Sequence, residues 1–139
     1  MNASAKRQQF KFCSLPGVYA VVRLAHDAPV PEWAVKGQFT SITRTTDELS
    51  IVCPAENVPA DVQSPQRWIC LKLQGPFAFS ETGVLLAFIE PLSDSGVPIF
   101  AISTYETDYV LVQEEFAVKA VECLREAGHE FVAGEDTKA

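Results

Sequence analysis

Apolar and polar positions are arranged in two distinct ways along this 139-residue chain. Short runs rich in β-branched and aromatic residues, at 18–24, 39–44, 49–52, Trp68–Leu73, 98–103 and 109–112, read as strands. Two other stretches repeat apolar residues at helical spacing. In the first, Val84, Phe88 and Leu92 share a face with Leu85 and Ile89, Ser80 is placed to cap the start, and Gly96 supplies the stop. Pro91 falls inside it, deletes the hydrogen bond to Ala87, and should kink or divide the helix at a cost of ~3 kcal/mol unless the ends are packed. The second helix, 114–127, is expected to turn Ala117, Val118, Val121 and Leu124 inward, with Glu114 and Glu115 at its positive end, Arg125 near its negative end and Gly128 as the stop. A closing strand follows at 129–132.

Between the strands, polar turns at 45–48 and 104–107 make two hairpins. Pro29 and Pro31 delay any helix after the first strand and leave at most a turn or two around Glu32–Val35. Residues 53–67 carry three prolines and read as a linker. The expected organisation is a polar N-terminal lead-in at 1–15 that packs Phe10 and Phe12 on the body, a truncated subdomain at 16–66, a fuller domain at 67–133, and a frayed tail at 134–139.

The two halves repeat one layout. Sliding residues 39–52 by sixty-one positions matches Phe39 to Phe100, Thr43 to Thr104, Thr46 to Thr107, Asp47 to Asp108, Leu49 to Val110 and Ile51 to Val112. The strands preceding each copy lie only about fifty positions apart, which implies that a helix of roughly three turns was clipped from the first copy. The fuller copy reads strand, helix, strand, strand, helix, strand, a split βαβ or ferredoxin-like unit, so the chain is α+β. The first copy, βαββ with a stub of helix, cannot cover its own sheet and is expected to lean on its neighbour.

Composition narrows the function. A net charge of −7 with dispersed basic residues repels phosphate backbones and argues against nucleic acid. No apolar run reaches the roughly 18 residues of a membrane span, and no apolar segment follows the basic N-terminus, so cytoplasmic residence is the expectation. Cys13, Cys53, Cys70 and Cys123 have no CxxC or histidine spacing, which points to buried thiols and to no metal or other cofactor. There is no GxSxG elbow, GxxxxGK loop or HExxH, and His26 and His129 stand alone, so no catalytic residues are expected and the protein is not read as an enzyme.

The stretch from Ser80 to Gly83 with the helix that follows, and the hairpin Ser-x-Tyr-x-Thr-Asp-Tyr-Val-Leu-Val at 103–112, resemble the ACT domains of amino-acid-responsive regulators. The resemblance runs from about Val18 to Val132. It is strongest to the tandem-ACT group related to aspartate kinase regulatory domains and to cytosolic arginine sensors, although the turn at Ser95 and Gly96 replaces the family's usual Ala-Gly. It implies a tandem ACT arrangement, allosteric regulation by a small ligand, usually an amino acid, held at an interface between ACT units, and a homodimer. The kinase portion is absent from this sequence, so output is expected to pass through a protein partner or through assembly.

An amino acid needs donors for its carboxylate and acceptors for its ammonium. Backbone N–H groups of Thr82, Gly83 and Val84 at the helix start suit the first. Asp108, Glu106 or Glu81 suits the second, and two of these acids would suit a cationic side chain, which makes arginine or lysine the leading guess. Phe79, Ser80, Thr104, Tyr105 and Thr107 complete the candidate ligand-binding set. Plainer roles compete: Ser80 and Thr82 as caps, Asp108 as a turn residue, Tyr105 and Phe79 as core. The alternative function is a dimerisation or docking module of the same fold with no ligand.

Overall fold

The computed structural model describes residues 9–62, 64–75 and 83–132. In chain order its strands are β1 Lys11–Ser14, β2 Tyr19–Leu24, β3 Ser41–Arg44, β4 Leu49–Pro54, β5 Trp68–Leu73, β6 Phe100–Ser103, β7 Asp108–Gln113 and β8 Glu130–Phe131, with helices α1 Val84–Asp94 and α2 Ala117–Glu126. Two compact units divide the chain. The smaller is Gly17–Ile69, and the larger combines Met1–Pro16 with Cys70–Ala139.

In the smaller unit β2 pairs antiparallel with β4, Tyr19 opposite Pro54 and Leu24 opposite Leu49, and β3 pairs with the other edge of β4. Alternation along β4 sends Leu49, Ile51 and Cys53 into one cluster with Ala20, Val22, Ala34 and Val58. The two prolines have the expected effect: the stub at Glu32–Val35 is a single 3₁₀ turn. Asn57 stops it, its Nδ2 donating to the carbonyls of Trp33 at 3.2 Å and Lys36 at 2.8 Å.

The larger unit contains the expected β5-α1-β6-β7-α2-β8 order, but its sheet runs β8-β1-β5-β7-β6. The N-terminal residues expected to be a lead-in therefore supply an interior strand. Phe12 lies opposite Leu73 on one side, and on the other β1 runs parallel to β8 with Phe12 beside Phe131. Phe12 packs edge-on against Phe88 of α1 at 5.3 Å, and both Phe12 and Cys13 are fully buried. A four-residue segment, Lys-Phe-Cys-Ser, with its two central residues buried on opposite faces, is enough for a strand when both neighbours offer edges to it, and averaging polarity over fifteen residues conceals it.

Pro91 neither divides nor ends α1, which continues to Asp94. The carbonyl of Ala87, deprived of the N–H at position 91, accepts instead from Nε2 of His129 at 3.0 Å. The other ring nitrogen, Nδ1, accepts the backbone N–H of Phe10 at 3.0 Å. This pair of bonds fixes the neutral Nε2–H tautomer. The end of α2 delivers the ring: Gly128, at φ 100°, turns the chain, and the amide of His129 bonds the carbonyl of Leu124 at 3.0 Å. Phe10 stacks on the imidazole and Phe88 tilts against it, so a ring only 4% exposed has both polar atoms satisfied.

The inward face of α2 differs from expectation. Ala120 and Leu124 are buried, whereas Val118 is 73% exposed. Ala120 and Leu124 share one helical face with the half-buried Ala117 and Val121, and Val118, about 100° round the axis from Ala117, falls outside it.

The two hairpins are copies of one another in a register that the sequence alignment misses. Thr45 N–H bonds the Glu48 carbonyl at 2.9 Å, and Thr104 N–H bonds the Thr107 carbonyl at 2.8 Å. In each turn the first threonine's hydroxyl also accepts the amide that closes it, Glu48 at 3.2 Å and Thr107 at 3.4 Å. The true offset is 59 positions, Thr45 to Thr104, and it carries β4 onto β7 and the 3₁₀ turn Ala55–Asn57 onto Glu114–Phe116. The sixty-one-position match pairs Asp47 with Asp108, but Asp47 lies within its turn and Asp108 opens a strand.

Replacing His129 by Phe keeps a ring and removes its hydrogen bonds to the Ala87 carbonyl and the Phe10 amide, an expected loss of about 2–4 kcal/mol in urea unfolding. In a Pro91→Ala background the new N–H can rebond Ala87, so the same substitution should cost about 1 kcal/mol less; strictly additive penalties would show that the histidine does not serve this carbonyl.

Cys13, Cys53 and Cys70 are buried, and Cys123 is half-buried. Burial pushes the thiol of Cys53 up to about 11 and that of Cys70 up to about 12, the latter reinforced by neighbouring Cys13. Of the four, Cys123 alone should label with a thiol reagent in the native state at pH 8. Because Cys53 and Cys70 ionise later when folded than when unfolded, their contribution is intact below pH 9, and urea midpoints should fall as pH rises from there towards 12.

Candidate functional site

One end of the larger unit gathers the described members of the candidate set. β5 runs towards this end, α1 runs back from it, and the β6–β7 turn closes over the terminus of β5. The closure is a buried bond: the hydroxyl of Thr107, itself 7% exposed, donates to the Leu73 carbonyl at 2.9 Å.

Gly83 precedes α1 at φ 79°, a left-handed conformation that a side chain would strain. Among the described residues nothing lies within 4 Å of where its Cβ would stand. Its carbonyl takes the first helical bond, from Ala87 N–H at 2.9 Å, and among the described residues no side chain caps it. The first-turn amides form the positive end of the helix. Val84 contributes only backbone there, because its side chain is buried beneath the helix. Phe79, Ser80 and Thr82, and Glu81 with them, lie outside the described residues.

The hairpin residues divide by role. Thr104 is spent within its turn, its hydroxyl donating to the Thr107 carbonyl at 3.1 Å as well as accepting the Thr107 amide. Thr107 is the tie to β5. Tyr105, at 78% exposure, forms the tip rather than core, and Glu106 beside it is exposed. Asp108 is half-buried at the start of β7, and its Oδ1 accepts a short hydrogen bond from the hydroxyl of Ser103 directly across the ladder. Asp108 does not bond its own turn, as the sixty-one-position match implied. Ser103 opens the motif at 103–112 but lies outside the candidate ligand set, and the register gives its role: a four-residue turn places the residues flanking it opposite each other.

A helix start with no side-chain cap among the described residues and a carboxylate held by one hydroxyl are the two kinds of group an α-amino acid requires, donors for its carboxylate and an acceptor for its ammonium. Among the described residues no group of three or more metal-ligating side chains is assembled, and no helix is long and apolar enough to cross a membrane.

Comparisons with known proteins agree with this architecture. A family model described as an ACT domain matches residues 63–126, and a second model, of an N-terminal domain, matches 17–61. The crystal structure of protein Atu0741 from Agobacterium tumefaciens is 44% identical and superposes with a TM-score of 0.85, over 92% of this chain and 96% of that one. Aspartate kinase from Clostridium acetobutylicum shares the fold, with a TM-score of 0.53 at 14% identity, covering 84% of this chain and 32% of the kinase. The human putative protein CASTOR3P is 28% identical over 88 residues, so the match takes in about half of each sequence, 54% of both. Residues 63–126 match the ACT-domain family, and with its split βαβ unit and abbreviated copy the chain resembles a tandem ACT protein.

Proposed function

We propose that this protein is a non-catalytic regulatory sensor that binds a free amino acid where ACT units meet, using the end of the larger unit that carries Gly83 and the Thr104–Asp108 segment. One observation carries the reading: a half-buried carboxylate, Asp108, stands at the same end as a helix start with no side-chain cap among the described residues. The ligand carboxylate sits on the first-turn amides of α1, and its ammonium on Asp108. Exposed Glu106 adds a second acid, which favours a cationic side chain and makes arginine or lysine the first candidates. A second copy of the chain completes the wall in a cytoplasmic homodimer, and ligand-dependent assembly or a protein partner supplies the output. A ligand-free dimerisation or docking module is the second reading. It is favoured by the bonds that consume the two threonine hydroxyls, Thr104 within its turn and Thr107 on the Leu73 carbonyl of β5.

A thermal-shift screen with the twenty amino acids separates the two. A binder at a hundredfold excess over its dissociation constant stabilises by about 2.7 kcal/mol and raises Tm by several degrees. No shift with any amino acid at millimolar concentration favours the docking module.

Asp108 and Thr107 should respond in opposite ways. Asp108→Ala removes a surface bond, leaves the ligand-free Tm nearly unchanged and abolishes the ligand-induced shift. Thr107→Val strips a hydroxyl from a buried carbonyl and lowers the ligand-free stability by about 1–2 kcal/mol. A retained shift in Asp108→Ala removes that carboxylate from the site.

A further inference from the structure

Because both units are built on one plan, the smaller unit shows what the corresponding end looks like when the chain closes it by itself. The 59-position register places Arg44 where the larger unit has Ser103, each being the last residue of the first hairpin strand. A 49-position register between β2 and β5 places Arg23 where the larger unit has Lys72. Both arginines are used at this end. The guanidinium of Arg44 donates to the His26 carbonyl in the segment that follows β2, fastening that segment to the hairpin. Arg23 donates to the Asp47 carbonyl at 3.0 Å and pairs with Glu48 at 3.6 Å, fastening β2 to the turn.

The larger unit makes its corresponding strand-to-turn tie from inside, with the Thr107 hydroxyl on the Leu73 carbonyl. The position of Arg44 is filled there by a neutral hydroxyl that turns to Asp108. The other half of the proposed site is altered as well. In place of an eleven-residue helix opened by a glycine, the smaller unit has the four-residue 3₁₀ turn Glu32–Val35 behind Pro31, which has no N–H to offer. The carboxylate-binding half is missing, the 59-position register puts buried Leu49 where the larger unit has Asp108, and the two guanidinium groups fill the hydrogen-bonding capacity of the turn and of the segment after β2.

We infer that Arg23 and Arg44 act as built-in occupants of the smaller unit's pseudo-site, so that ligand binding is confined to the larger unit at one molecule per chain. The confinement rests on the amino-acid-binding reading; the closure by arginine does not. Two measurements on the full chain keep them apart. The first is amide hydrogen exchange without ligand, comparing the native chain with an Arg23→Ala, Arg44→Ser double variant. If the arginines close this end, the amides of Ala28 and Thr45, hydrogen-bonded in the two segments they fasten, should exchange at least about tenfold faster in the variant, with the Thr104 amide unchanged. Equal rates at all three amides would overturn the closure. The second is a titration of the native chain with whichever of the twenty amino acids gives the largest thermal shift, followed by calorimetry and by amide chemical shifts. One equivalent per chain, with shifts at Gly83 and 104–108 and none at 26–28 or 45–48, is expected. Two equivalents, or shifts in the 45–48 turn, would overturn the confinement. A panel with no binder would sink the sensor reading while the exchange comparison still judges the arginines.

Discussion

The carbonyl of Ala87 is the point on which the larger unit turns. Pro91 frees it in the middle of a buried helix face, where an unpaired acceptor costs about 1–3 kcal/mol. His129 satisfies it and with its other nitrogen takes the amide of Phe10, immediately before β1. One imidazole thereby links the first helix, the cap of the second helix and the entry of the N-terminal strand. Phe10, Phe12, Phe88 and Phe131 then pack around this link and around one another. The proline that looks like a flaw in α1 creates the acceptor that fixes how the neighbouring elements join it, and the helix whose start forms the candidate site is held by a side chain from elsewhere in the unit.

The duplicated plan shows how the same mechanical need is met by different chemistry. Each copy must tie the end of its first strand to the hairpin turn. The smaller unit does so at the surface with arginine, and the larger with a buried threonine hydroxyl. Surface pairs of this kind contribute little individually, but a covalently attached guanidinium needs no ligand to be present. The buried tie leaves the surface of its turn to Tyr105, Glu106 and Asp108. Sequence identity between the copies is low because alternation and turn chemistry, not residue identity, are what the plan requires.

The candidate site was partly legible before the fold was seen. The glycine before the first helix and the Thr-Tyr-Glu-Thr-Asp segment were identified as one site, and the structure brings Gly83 and that segment to one end of a unit. The division of labour among those residues was not legible. Thr104 and Thr107 have the composition of ligand contacts and serve as turn and tie. Asp108 and Asp47 share a Thr-Asp dipeptide and occupy different places in their hairpins. Ser103 stands in the recognised motif, but its hold on Asp108 emerges only once the ladder register is known.

The sequence by itself determined the periodic elements, the clipped first helix, the duplicated α+β plan and the family resemblance, because these follow from local alternation, proline placement and turn chemistry. Tertiary structure alone decided the rest. A four-residue strand at 11–14 forms because two other strands present edges to it, and nothing within those residues demands it. Pro91 is accommodated because a histidine 38 positions further along the chain arrives at its orphaned carbonyl. Each of these outcomes depends on a partner distant in sequence, and a local pattern carries no record of where such a partner will be.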